Sequence, residues 1–161
     1  MDRSSEQVPG RQETPAEQDD RNFSELLQEL RVSQMGVQIL FAFLLTLAFQ
    51  SRFTTVDTFQ LTLYVVTLLC CAASTALLVA PVAFHRAMFR QGRKRELVDI
   101  AGRLARAGLF MMFLALSGAM VFILDFVLGR VLGFVLGGVV VAGFSLLWYA
   151  TPWWRARSSA S

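Results

Sequence analysis

The sequence predicts an all-α, polytopic integral membrane protein with four transmembrane helices. Three observations carry that prediction. Of the 161 residues 55% are hydrophobic and the mean hydropathy is +0.51, with the apolar residues gathered in long blocks, a composition foreign to soluble domains. Four blocks, about 33–51, 60–83, 107–128 and 131–150, are close to the length needed to cross a bilayer, which for a helix is roughly 20 residues over ~30 Å of hydrocarbon. Charge is almost absent inside them, Asp125 being the one exception. Backbone polar groups in lipid must be satisfied within the segment, so each block should be a helix.

Taken in order, the chain begins with "MDRSSEQVPGRQETPAEQDD", which has two bases against six acids and lacks the apolar stretch of a signal peptide. It is expected to be a disordered acidic cytosolic tail over 1–21. Next, Phe23, Leu26, Leu27 and Leu30 recur at helical spacing while Glu25, Gln28 and Glu29 take the other side, with Asn22 as N-cap. A short amphipathic helix lying on the membrane surface is expected here, ahead of the first span. The membrane domain as a whole is expected over 22–151, and 152–161 forms a short basic tail.

Between spans two and three, Gly92 should end one helix. The stretch "RKRELVDIAGRLARAG" then places Leu97, Ile100 and Leu104 on one stripe, with Asp99 four residues before Arg103 in the favourable order. Helix three is therefore expected to start near 94 and end near 128, on the order of 50 Å at 1.5 Å per residue. Its first turns would project beyond the membrane.

The bases set an orientation. The flank before span one holds Arg21 and Arg31, and the loop between spans two and three holds Arg86, Arg90, Arg93, Lys94, Arg95, Arg103 and Arg106. The C-terminus adds Arg155 and Arg157, while the two remaining loops have only Arg52 and Arg130. Both termini are expected in the cytosol, and Trp148, Tyr149, Trp153 and Trp154 form an interfacial belt on that side. Arg90, Arg93, Lys94 and Arg95 are expected to meet anionic lipid headgroups, each contributing on the order of 1 kcal/mol near the surface.

Two stripes of small residues recur every fourth position, Gly129, Gly133 and Gly137 in span four and Ala72, Ala76 and Ala80 in span two. Such stripes let helices approach closely in lipid. The turn at Gly129 is so short that spans three and four should be antiparallel neighbours, which favours packing within one chain, although a second copy would suit the stripe as well.

Four polar residues are candidates for an ion pathway. Gln34 and Gln38, with Arg31, fall within about 60° of one another on helix one. They suit either a hydrated vestibule or interhelical hydrogen bonds, the second being the more ordinary use. Asp125 is the one carboxylate at membrane depth and by default a functional candidate. It lies near the end of span three, within reach of Arg130 or Arg52 as an ion-pair partner. His85, at the end of span two beyond Pro81, titrates in a range suited to a pH sensor, but more often such a histidine meets carbonyls and headgroups. Cys70 and Cys71 are adjacent and read as small buried thiols, with no spacing for a disulfide framework or a zinc site. No phosphate loop, metalloprotease helix or nucleophile elbow is present, so neither enzyme chemistry, a metal, a cofactor nor nucleic acid is expected.

The stretches "ELRVSQMGVQILFAFLLTLAFQSRF" (29–53) and "APVAFHRAMFRQGRKRELV" (80–98) resemble an uncharacterised, domain-of-unknown-function family of small four-span bacterial membrane proteins. The positions carrying the resemblance are Glu29, Leu30, Arg31, Gln34, Gly36, Gln38, Pro81, His85 and Arg86, and it extends over about 22–150. Members often carry the label sodium:proton antiporter. The resemblance implies the fold and the bacterial cytoplasmic membrane, and assigns no transport residue. The expected role is a structural, interaction or accessory membrane protein, working with the bilayer and with a homo-oligomeric or other membrane partner. The alternative is a cation (sodium)/proton antiporter acting as an oligomer through Gln34, Gln38, His85 and Asp125.

Overall fold

The computed structural model describes residues 15–88 and 94–150, and of these the side chains at 15–17, 19, 20, 22, 23, 84–88, 94–98, 149 and 150 carry no description. The described chain is helical, with α1 at Pro15–Leu47, α2 at Thr58–Met88, α3 at Lys94–Leu128 and α4 at Arg130–Ser145. A 3-10 turn at Ser51–Thr55 links α1 to α2, and a single π turn at Leu146–Ala150 continues α4. Four helices are long and apolar enough to span a membrane, over Ser24–Leu47, Thr58–Ala83, Asp99–Leu128 and Arg130–Trp148.

The helices run alternately up and down. One end of the bundle holds the α1–α2 connection and the α3–α4 turn, and the other holds the first turns of α1 and the last turn of α4. α3 packs against all three other helices, whereas α1 and α4 share no substantial contact. The core cluster comes from α1, α2 and α3: Leu30, Val37 and Leu44, then Tyr64, Cys71 and Leu78, then Ala105, Ala115 and Phe122. Seven-residue spacing on α1 and α2 keeps one seam facing the partner along the whole helix.

α1 departs from the expected start. It is one unbroken helix of 33 residues, so the amphipathic prelude does not lie flat as a separate element. Nothing between Pro15 and Met35 breaks a helix, and Pro15 stands at the first position, where a missing N–H costs nothing. Leu26 and Leu30 also fall in phase with Val37 and Leu44, and both pack on the core. A straight helix therefore buries prelude and span on one face. Pro15–Asp20 belong to this helix as well, where a tail was expected. Residues 1–14 and 151–161 lie outside the described residues. α3 matches its expected bounds, and at 35 residues it is about 50 Å long by the helical rise, well beyond ~30 Å of hydrocarbon.

Many large apolar side chains point outward, and several polar ones point inward. Val32, Ile39, Phe43, Val131, Val135 and Val139 are each more than half exposed, while Thr67, Ser74, Ser117 and Asp125 are buried. A water-soluble bundle has the reverse arrangement.

Candidate functional site: the α2–α3–α4 clasp

The residues around Asp125 are assembled from three helix ends. α2 opens with "DTFQ", in which Asp57 and Gln60 cap the helix reciprocally: Gln60 N donates to Asp57 Oδ1 at 2.9 Å and Asp57 N donates to Gln60 Oε1 at 3.0 Å. This satisfies two backbone donors that a helix start leaves unpaired. Gln60 still has its amide nitrogen, which donates to Asp125 Oδ2 of α3 at 2.8 Å.

From the other side comes Arg130, the first residue of α4. Gly129 separates α3 from α4 as a single residue with φ +82°, a conformation that glycine adopts without cost. The turn swings Arg130 back over the end of α3. Its Nη2 donates to Asp57 Oδ2, its Nε lies 3.4 Å from Asp125 Oδ1, and its guanidinium sits 4.3 Å from the Phe59 ring centroid. Asp57, Gln60, Asp125 and Arg130 thus form a closed ring. Asp125 is 2% exposed, so its charge is held almost wholly by Gln60 and Arg130. Oδ1 receives no hydrogen bond and relies on the facing guanidinium alone. Of the two partners expected for Asp125, Arg130 takes the role, and Arg52 lies instead over the Phe126 ring at 5.3 Å.

Chemically the ring is closed. A cation seeking Asp125 and Asp57 would have to displace Arg130. Among the described residues no group of three or more His, Cys, Asp or Glu side chains is placed to hold a metal ion.

Of the expected pathway residues, Gln34, Gln38 and Asp125 are not brought together. Gln34 is half-buried and donates to the Leu78 carbonyl of α2 at 2.6 Å. That carbonyl lies in the turn before Pro81, whose ring removes the N–H that would otherwise bond Leu77. Gln38, one turn on, is exposed on the outer surface. The stripe on helix one is therefore split between an interhelical bond and the outside, and lines no vestibule. Gln34 at Leu78 and Asp125 at Gln60 are about 27 Å apart along α2 at 1.5 Å per residue. His85 lies in α2, but its side chain is outside the described residues, as are those of Arg86, Arg90, Arg93, Lys94 and Arg95.

Of the glycine stripe, Gly133 and Gly137 lie within the chain's own α3–α4 contact. Gly133 and Gly137 are buried against α3, and a Cβ on Gly133 would lie 2.5 Å from Asp125 Cα. Gly129 serves the turn and is exposed. The alanine stripe does not pack within the chain: Ala72 and Ala76 are exposed and Ala80 is half-buried. The buried seam of α2 is Tyr64, Thr67, Cys71, Ser74 and Leu78, about one residue out of phase with the alanines. Two of its side chains bond across helices, Tyr64 Oη to the Leu44 carbonyl at 2.9 Å and Ser74 Oγ to the Gly108 carbonyl at 2.8 Å. Cys71 is buried in the same seam, and Cys70 is half-buried. Sequence inspection passed over Asp57 and Gln60, whose spacing of three residues ahead of an apolar run was the available signal.

Residues 12–152 match the model of DUF6328, described as a family of unknown function. The chain belongs to this family. The DUF6328 match spans all four helices of the bundle and the clasp with them. No curated protein and no solved structure matches the chain. Membership of DUF6328 brings no activity with it, and the antiporter label draws no support from the match.

Proposed function

We propose that this protein is a small multi-pass protein of the bacterial cytoplasmic membrane, with both termini in the cytosol, whose role is structural or accessory. It is neither an enzyme nor a self-contained carrier. The observation that carries this reading is the engagement of Asp125, the one buried carboxylate among the described residues, by Gln60 and Arg130 in a ring that ties α2, α3 and α4 together. Carriers keep ionisable groups available near the middle of the membrane, commonly at a broken helix. Here the buried carboxylate sits at one end of the bundle and its lone facing cation is bound to it.

The outward-facing apolar side chains and the four helices of spanning length support the membrane placement. The concentration of bases in the stretch between the second and third spans and near the C-terminus of the sequence supports the orientation. Such a protein works through what it touches, which is anionic lipid, a second copy or a membrane partner.

The test is flux. Protein reconstituted into sealed liposomes with a trapped pH-sensitive dye is given sodium or potassium across an imposed pH gradient. A flat trace is expected from vesicles shown to contain folded, inserted protein. A dye response confined to protein-containing vesicles would overturn the structural role in favour of cation/proton exchange by two or more copies.

A further inference from the structure

Because α1 and α4 share no substantial contact, a groove remains between them on the surface of α3. It lies at the end of the bundle opposite the clasp and encloses about 460 Å³, lined by Ser33 of α1, by Arg106, Leu109, Phe110 and Met112 of α3, and by Trp148. That volume falls in the range of small-molecule sites, roughly 300–1,000 Å³.

Three features give the groove direction. Arg106 is its single charge and forms no ion pair among the described residues. Its guanidinium runs back along α3 over Gly102, where an added Cβ would lie 3.6 Å from Nη1, as a cation does when it reaches for the polar side of an interface. On the other side of Arg106 the lining is apolar and aromatic, backed by the buried Phe113, which stacks on Phe110 and lies 6.2 Å from the Trp148 ring. Trp148 itself sits in the single π turn at Leu146–Ala150 that continues α4.

A cation at the rim above an apolar, aromatic trough is complementary to an amphiphile with an anionic head. We propose that this groove is a binding site for an anionic phospholipid, its phosphate on Arg106 and one acyl chain along Leu109, Phe110 and Trp148. The site rests on the membrane placement proposed above.

The test uses full-length protein carrying Trp153→Phe and Trp154→Phe, so that Trp148 is the remaining tryptophan, in phosphatidylcholine vesicles. A minor fraction of lipid with brominated chains is added, either phosphatidylglycerol or phosphatidylcholine. Brominated phosphatidylglycerol is expected to quench Trp148 as though enriched about fivefold over the same fraction of phosphatidylcholine, the factor that ~1 kcal/mol per base gives. Arg106→Gln should bring the two lipids level, Arg106→Lys should keep the preference, and Arg103→Gln, one turn away and outside the groove, should leave it unchanged.

Equal quenching by both lipids in the unsubstituted protein would overturn the site while leaving the membrane placement intact. No quenching by either would overturn the placement itself. Loss of the preference in Arg103→Gln as much as in Arg106→Gln would reduce the effect to surface charge and overturn the site. Relief of quenching by inorganic phosphate at constant ionic strength would assign the groove to a free anion and overturn the lipid.

Discussion

Gln34 and Gln38 are the same residue type one turn apart on α1, and their environments differ. Gln34 holds the Leu78 carbonyl beside Pro81, and Gln38 faces outward. Gln34→Leu is expected to lower stability in detergent by about 1 kcal/mol, the size of an interhelical hydrogen bond, while Gln38→Leu costs nothing; thermal melting of the two variants checks the difference. At the clasp the asymmetry runs between partners. Arg130→Gln leaves a buried carboxylate with one amide, so a loss of about 3 kcal/mol is expected. Asp125→Asn removes the buried charge and leaves Arg130, nearly half exposed, with Asp57; a smaller loss of about 1–2 kcal/mol is expected. An unchanged melting point for Asp125→Asn would remove its structural role. The sequence announced Asp125 as unusual and named Arg130 within reach. It could not show that Gln60 completes the ring, because that contact joins residues 65 apart.

At the scale of the element, α4 is an apolar rod seated on α3 through two glycines. A methyl group on Gly133 would meet the α3 backbone at Asp125, which has no side-chain freedom to yield, whereas one on Gly138 meets nothing within 4 Å. Gly133→Ala is therefore expected to separate α3 from α4 and destabilise the fold by about 1–3 kcal/mol, as overpacking does. Gly138→Ala should be neutral or stabilising by up to ~1 kcal/mol through helix propensity. Melting curves of the two variants decide it, and equal behaviour would contradict the packing. Four-residue spacing made both the glycine and the alanine stripes legible as grooves. Only the glycines are used within the chain, because the seam of α2 is set by Tyr64, Thr67, Cys71, Ser74 and Leu78, whose polar members find carbonyls across the interface. A period reports which residues share a face and leaves open which face is turned inward.

For the whole molecule, the two ends of the bundle have different characters. The end with the short connections is closed by the clasp, and the opposite end is open between α1 and α4, with Arg106 and Trp148 at the opening. The flat flux trace expected from liposomes belongs to this scale, since the buried carboxylate of the bundle is held at one end by Gln60 and Arg130. The sequence by itself determined the helical class, four helices of spanning length, the length of α3 and the antiparallel pairing of α3 with α4, because these follow from hydropathy, segment length and a one-residue turn. It also carried the clue to a charge pair at Asp125. What only the tertiary structure decided is that α1 runs straight from its amphipathic start, that Gln34 and Gln38 part company, that Asp57 and Gln60 close the clasp, and that a groove lies beneath Trp148. Each of those depends on the rotation of one helix about its axis relative to its neighbours, which is fixed by the summed fit of many side chains and not by any local pattern.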